Sequence, residues 1–379
     1  MAGTILLVTW DGAGNIPPEF AVCRALVDAG HRVHVLTHDS LRERAEELGA
    51  IFCPIRHAGQ IAAQDPDKTL QDTIDHALLS DALLSDIDGA VAAASPDVVI
   101  VDSMMLLALA KIGQGPIPSV VFHHTLADFL FGGLFDQFSM AKKDEINRIL
   151  DARGLNSYER PIEAVLDNDL FVTATYRDFD PPNEHIPQNL VHIGPMRKAP
   201  AAGREAIKRL FPERPLVVVG LSTSYMAQLE LLQKIADALA ALEVEGLITT
   251  GPAISPNDLS LSANVTATEF VAHEDLLPHA KLLITHAGHG TVMAGSTFGV
   301  PMLCFPMGRD QHAVAERARE LRLAQVGQAD SSTEVIAQAV THALGDSSMA
   351  TASRAFSDRA RSHPGVKEAV AHIERLMNR

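Results

Sequence analysis

Cysteine and positive charge are scarce in this chain, and each shortage removes a class of protein. Cys23, Cys53 and Cys304 are the only three cysteines in 379 residues, and no two of them form a CxxC word. All three sit among apolar neighbours, so they read as structural thiols of a reducing compartment, not as a disulfide framework or a metal site. Acidic residues outnumber lysine and arginine, and the formal net charge is −16. That balance argues against a nucleic-acid backbone or an anionic membrane surface as partner. A small anion stays admissible, because it responds to the local field at a helix end. No apolar run approaches the roughly 20 residues of a membrane span. The N-terminus enters a strand pattern directly, without the basic and apolar regions of a signal peptide. The reading is a soluble, cytoplasmic chain, 47% hydrophobic, and long enough for two domains.

What the chain has in quantity is alternation. Continuous apolar runs, TILLVTW at 4–10, HRVHVL at 31–36, DVVIV at 97–101, PSVVF at 118–122, LFVT at 170–173 and LVHI at 190–193, predict strands buried on both faces. Helical spacing fills 19–28, 41–48, most of 60–94 and 103–112, with a short strand at 51–55. Such βαβ units imply a parallel sheet with right-handed crossovers. Gly194-Pro195 then introduces residues 196–203, short on large apolar residues and read as a linker. The pattern restarts with strands at 216–219, 246–250, 265–269, 281–285 and 301–305 and helices at 228–241 and 276–279. The expected class is α/β, with two Rossmann-like parallel-sheet domains, residues 1–197 and 198–379, facing across a cleft. The last helix, near 366–376, can pack on either domain. Gly12 and Gly14 do not complete a GxGxxG, because Pro17 stands where the third glycine belongs, and a nicotinamide site is disfavoured. Of the two Asp-x-Asp words, 65–67 and 86–88, the second lies on a helical pattern and reads as a solvated face; no metal is expected.

The most informative stretch is THAGHGTVMAGSTFGVPMLCFPMGRDQ at 285–311. A buried strand leads into the glycine-spaced loop 286–291, which opens a helix ending at Gly299. Such a loop brings backbone N–H groups and the positive end of a helix dipole onto an anion. The next strand runs to Phe305, with Asp310 and Gln311 beyond it offering a carboxylate and an amide suited to a polyol. Ligands of open parallel sheets bind outside the carboxyl ends of the strands. A phosphate site at one tip and a polyol site at the next suggest a sugar carried on a diphosphate.

The words FVAHEDLLP at 270–278, THAGHGT at 285–291, GVP at 299–301 and PMGRDQ at 306–311 resemble the donor signature of family-one glycosyltransferases of the B-type fold. The likeness is strongest to the bacterial branch that decorates antibiotics and other natural products. It implies that His286 contacts the donor diphosphate, with Gly288, His289, Gly290 and Thr291 around the phosphates. Val271 and His273 lie where that family places the nucleobase, Ser222 matches a phosphate-reaching serine, Thr250 shapes the same site, and Asp310 and Gln311 hold sugar hydroxyls. The implied reaction is an inverting, metal-independent transfer from a dTDP- or UDP-sugar co-substrate, with no other cofactor, to a hydrophobic aglycone bearing a phenol or other hydroxyl. Association into a homodimer stays open.

One word departs from the family pattern. Where a catalytic histidine or aspartate is common, the sequence reads GNIPP at 14–18, and Asn15 cannot accept a proton at working pH. Asp102 matches the carboxylate that orients that histidine. Three readings compete: Asn15 only orients an acidic acceptor; Asp11, Asp102, His123 or His124 is the base; or the chain binds or assists without transfer. A sugar-nucleotide epimerase is a further alternative. Met104, Phe129, Phe131 and Phe135 are the candidates for an acceptor wall, the phenylalanines lying in an aromatic, glycine-bearing segment at 127–138 read as a flexible loop or short helix.

Overall fold

The computed structural model describes residues 2–58, 79–182, 186–187, 189–195, 214–221 and 228–378. Ser222, the linker at 196–203, the Asp65 and Asp67 pair and the first part of the 60–94 stretch lie outside the described residues. The chain divides into two compact units, Met1–Met196 with Pro364–Arg379, and Arg197–His363.

In unit 1 the order is β1 (Thr4–Val8), α1 (Ile16–Asp28), β2 (Arg32–Thr37), α2 (Arg42–Glu47), β3 (Ile51–Pro54), α3 (Asp81–Ala94), β4 (Val98–Asp102), α4 (Leu106–Gly113) and β5 (Ser119–His123). It continues through α5 (Ala127–Leu130), α6 (Leu134–Ala141), α7 (Lys143–Ala152), β6 (Leu170–Thr173) and β7 (Leu190–His192). The strands form one parallel sheet in the order β3-β2-β1-β4-β5-β6-β7. β4, β5 and β6 are buried along their whole length, which is why their sequences are unbroken apolar runs and do not alternate. The order reverses between β1 and β4, paired in register as Val8 with Val101. The loops after these two strands therefore diverge to opposite faces and leave a crevice at their tips.

Unit 2 comprises β8 (Leu216–Gly220), α8 (Leu229–Ala240), β9 (Glu245–Thr249), β10 (Val265–Thr268), α9 (His273–Leu276), β11 (Ala280–Thr285), α10 (His289–Phe298) and β12 (Met302–Cys304). Then come α11 (Gln311–Glu320), β13 (Ala324–Val326), α12 (Thr333–Gly345) and α13 (Ser347–Arg361). Its parallel sheet runs β10-β9-β8-β11-β12-β13, with the reversal between β8 and β11. The helix beginning at His273 starts earlier than its apolar spacing suggests and closes as a 3-10 turn over Leu277–His279. No described helix is long and apolar enough to cross a membrane.

The final helix, α14 (Val366–Met377), belongs to unit 1. Ala369, Ile373 and Leu376 join the core built by Ile5, Leu7, Cys23 and Val98. His31 fastens it: the Gly3 N–H donates to His31 Nδ1 at 3.1 Å, so Nε2 carries the proton and reaches Glu374 Oε1 at 3.2 Å. All three cysteines are unpaired, and burial pushes the Cys23 thiol up to about 12.

The Asp86–Asp88 segment corrects the expectation of a solvated face. Asp88 is solvated and meets Lys111 at 2.8 Å, but Asp86 is buried. Its carboxylate receives the backbone N–H groups of Arg56, His57 and Ala58 at 2.9–3.2 Å and the His57 ring at 2.6 Å, tying the end of β3 to α3. Burial alone would push this carboxyl up; the hydrogen bonds from Ala58, His57 and Arg56 outweigh it and hold the group below its ordinary value. Its stabilisation is therefore present at neutral pH and is lost as the medium is acidified through that lowered value. Asp86→Ala, which orphans three N–H donors, is expected to cost about 2–4 kcal/mol in urea unfolding at neutral pH, with the difference shrinking in acid.

Candidate active site

The tip of β11 carries an unusual turn. Ala287 adopts φ +65°, a conformation costly for a residue with a Cβ, and is held by its N–H bond to Thr285 Oγ1 at 3.3 Å. Gly288 is the N-cap of α10, and a Cβ there would stand 2.5 Å from His286 Nε2. The glycine is required because the imidazole lies across the space a side chain would fill. Gly290, in the first helical turn, is exposed and has nothing within 4 Å of the position a Cβ would take. A ligand arriving there meets bare backbone at the positive end of a helix, whose first N–H groups have no partners within it. Gly295 brings α10 onto the sheet, since a Cβ there would clash with Met302 Sδ at 2.7 Å.

Around this turn the other donor candidates fall into distinct roles. Burial drives His286 down to about 4, against a hydrogen bond with the Gly220 backbone, and Arg309 and His273 add to the fall. The ring is neutral at physiological pH, and its buried Nδ1 has no hydrogen-bond partner among the described residues. Burial also lowers His273, whose Nε2 lies 3.5 Å from the place of a Gly220 Cβ. Thr250 is buried with its hydroxyl turned to the Gly251 carbonyl at 3.2 Å, so it shapes the loop. His289 is buried in the first turn of α10, while Thr291 and Val271 are half-buried. Asp310 is half-buried beside Arg309, itself at φ +56°. Gln311 is 2% exposed and its Oε1 accepts the Met307 N–H at 2.8 Å, which makes it a clamp on the loop after β12. Arg309 was not singled out from the sequence, although it stands inside the PMGRDQ word.

In unit 1 the tips of β1, β4 and β5 gather a second cluster. Asp102 is fully buried; Oδ1 accepts the Met104 N–H at 2.8 Å and Oδ2 accepts the Asn15 amide at 3.1 Å. The Asn15 amide also reaches the Trp10 carbonyl at 3.0 Å and Thr9 Oγ1 at 3.2 Å, while its Oδ1 is buried without a partner. His124 Nδ1 lies 3.8 Å from Asp102 Oδ2. One turn after Asn15 on α1 stands Glu19, 1% exposed, which accepts the Thr9 hydroxyl. Glu19 is not among the candidates read from the sequence, where it only begins a helical pattern; the available signal is its i+4 spacing from Asn15, which puts both on one helix face. Burial first, and then the charge of Asp102, push its carboxyl well above the ordinary value.

Several candidates are corrected by their surroundings. His123 is fully buried; Nε2 must donate to the Leu126 carbonyl at 2.9 Å, so Nδ1 accepts the Ser103 hydroxyl at 2.8 Å, and no ring nitrogen is left to take a substrate proton. Asp11 is tied to the turn after β2, its carboxylate accepting from Ser40 Oγ at 2.7 Å and its N–H donating to His38 Nδ1. Of the two forms expected for the segment 127–138 the structure takes the short helix: α5 and α6 flank a turn at Gly132, φ +86°. Phe131 sets its ring edge-on to Phe171, and Phe135 stacks on both Phe129 and Phe138. Met104, Phe131 and Phe135 belong to the core, and only Phe129 keeps partial exposure. Aromatic rings close in sequence can satisfy one another, which composition alone does not reveal.

Because the Glu19 value is raised on folding, the folded chain holds this proton more tightly than the unfolded one. Its burial therefore costs increasing stability as pH rises above the ordinary carboxyl range. Glu19→Gln is expected to raise Tm at neutral and alkaline pH, with the gain vanishing in acid; a gain that grows toward acid would contradict the assignment.

Known glycosyltransferases are similar to this chain over most of its length. Residues 233–376 match the model of the erythromycin biosynthesis protein CIII-like C-terminal domain. The NDP-glycosyltransferase YjiC of Bacillus licheniformis is 23% identical over 96% of this chain and 95% of its own length. The 4'-demethylrebeccamycin synthase of Lentzea aerocolonigenes is 26% identical over 84% of this chain and 86% of its own. Among solved structures, spinosyn rhamnosyltransferase SpnG complexed with thymidine diphosphate superposes with a TM-score of 0.76 at 20% identity, covering 99% of this chain and 100% of that one. The chain is a glycosyltransferase of the B-type fold, its C-terminal part matches the erythromycin CIII-like domain, and the relatives that span it include natural-product glycosyltransferases.

Proposed function

We propose that this glycosyltransferase takes its sugar from a nucleotide-diphosphate sugar bound at the start of α10 and passes it, with inversion and without a metal ion, to a hydroxyl of a hydrophobic natural-product aglycone. One observation carries this reading: the exposed, unobstructed backbone at Gly290 adjoins a buried, neutral His286 with an unpartnered ring nitrogen. Backbone N–H groups, and the imidazole once the bound diphosphate lets it take up a proton, can stabilise the charge that develops on a departing diphosphate without a metal ion. The thymidine diphosphate bound by the spinosyn rhamnosyltransferase favours a dTDP-sugar over a UDP-sugar as the first donor to try. On the acceptor side, the orphaned Asn15 Oδ1 offers a bound aglycone a hydrogen-bond acceptor beside Asp102. The same asparagine, occupied by Asp102, Trp10 and Thr9, favours a second reading in which the chain binds the donor without turning it over. Release of nucleoside diphosphate only when a phenolic or other hydroxylated aglycone is added discards that second reading.

Two outcomes test the donor site. Gly290→Ala should leave the unliganded chain as stable as before, or up to about 1 kcal/mol more stable, because alanine favours helix. It should weaken nucleotide-sugar binding about tenfold or more, about 1.4 kcal/mol, in calorimetric titration; unchanged affinity refutes the placement.

The second outcome concerns pH. His286 is at about 4 in the free chain. A bound diphosphate diester, which does not itself titrate here, would raise that value, so the complex holds more protons than the free protein. Affinity should therefore rise as pH falls from about 8 to about 5, and His286→Asn should flatten the slope.

A further inference from the structure

We propose that His124, paired with Asp102, is the base that accepts the proton of the acceptor hydroxyl; this rests on the transfer reading above. Its neighbours are unsuited. Asn15 holds no basic lone pair, and His123 has both ring nitrogens engaged. Asp102 is fully buried with each oxygen already accepting an N–H, and Asp11 is tied to Ser40. Glu19 is buried beside Asp102 and shares its face of α1 with Asn15.

His124 alone in this group combines access with a carboxylate partner. Its side chain is 17% exposed, while its Nδ1 is buried without a hydrogen bond and faces Asp102 Oδ2 at 3.8 Å. That separation is about half an ångström beyond a hydrogen bond, a gap that substrate binding commonly closes. Asn15 grips the same Oδ2 from the loop after β1, so the oxygen is held in place between the two side chains. The titratable groups around the ring are Asp102 from β4, Glu19 from α1 behind it, and His123 on β5, with ring centroids 5.8 Å apart.

In the transfer step the acceptor oxygen forms its bond to the anomeric carbon as its proton passes to His124 Nε2. The bond from that carbon to the diphosphate oxygen breaks, and its electron pair leaves on the nucleoside diphosphate. The imidazolium, held by Asp102, then returns its proton to water. Asp102 is a positioning residue: it keeps the proton on Nδ1 so that Nε2 is free to accept.

The test compares kcat/KM across pH for the full-length wild type, His124→Ala, His124→Gln and Asp102→Asn. His124→Ala should lose about 100-fold or more, lose the acidic limb of the profile, and recover partly with added imidazole. His124→Gln should lose the limb without changing the fold, and Asp102→Asn should lower kcat with little effect on acceptor KM. A His124→Ala rate within about threefold of wild type, with the limb intact, overturns the proposal. Nitrogen-15 NMR of the unliganded wild type is independent of turnover: an Nδ1–H tautomer at His124 is expected, and an Nε2–H tautomer overturns the pairing. If nucleotide-sugars bind but no acceptor is ever glycosylated, the transfer reading falls and the base role with it, whatever the tautomer.

Discussion

A carboxylate removed from water must be given hydrogen bonds or opposite charge, and in unit 1 Asp102 sets that requirement for everything near it. The turn after β4 folds back so that the Met104 N–H meets one oxygen, delaying the start of α4 to Leu106. Asn15, placed by the turn after β1, meets the other oxygen with its amide. Glu19 answers the same constraint differently: burial and the adjacent negative charge favour its protonated form. The asparagine that looks like a lost base is thus a donor to a buried anion, which an ionised aspartate at that position could not be.

Unit 2 solves a related problem with backbone. The sharp turn between β11 and α10 needs a left-handed residue at Ala287 and a glycine at 288 to clear the His286 ring. These local costs are tolerated because the surrounding strand and helix are well packed, Gly295 letting α10 approach Met302 and Leu283 closely. Both units place their polar clusters where strand order reverses, β1 against β4 and β8 against β11. Adjacent loops part at that edge, and backbone donors and side chains can point into the same crevice.

Much of this was legible in the chain itself. Unbroken apolar runs determined the parallel strands, since a strand covered by helices on both faces has no polar side to show. Glycine spacing at 286–291 determined the open turn between β11 and α10, because a side chain at 288 would meet the His286 ring and Gly290 leaves the backbone bare. The Asn15 departure was also visible, since it replaces one chemical group within a recognisable word.

Tertiary structure decided what depends on distant partners. Which side chains near Asp102 keep a free nitrogen, and which are consumed by carbonyls and hydroxyls, follows from contacts among β1, α1, β4 and β5 that no local pattern encodes. Phe131 and Phe135 became core, not acceptor wall, because Phe131 met Phe171 and Phe135 stacked on Phe129 and Phe138. Asp86 became a clamp because the turn after β3 delivers three N–H groups to it. The last helix joined unit 1 because Ile373 and Leu376 fill a gap beside β1 and His31 meets Glu374 across more than three hundred residues. Periodicity reports which face of an element is apolar; the partner that covers it is a long-range choice made by packing.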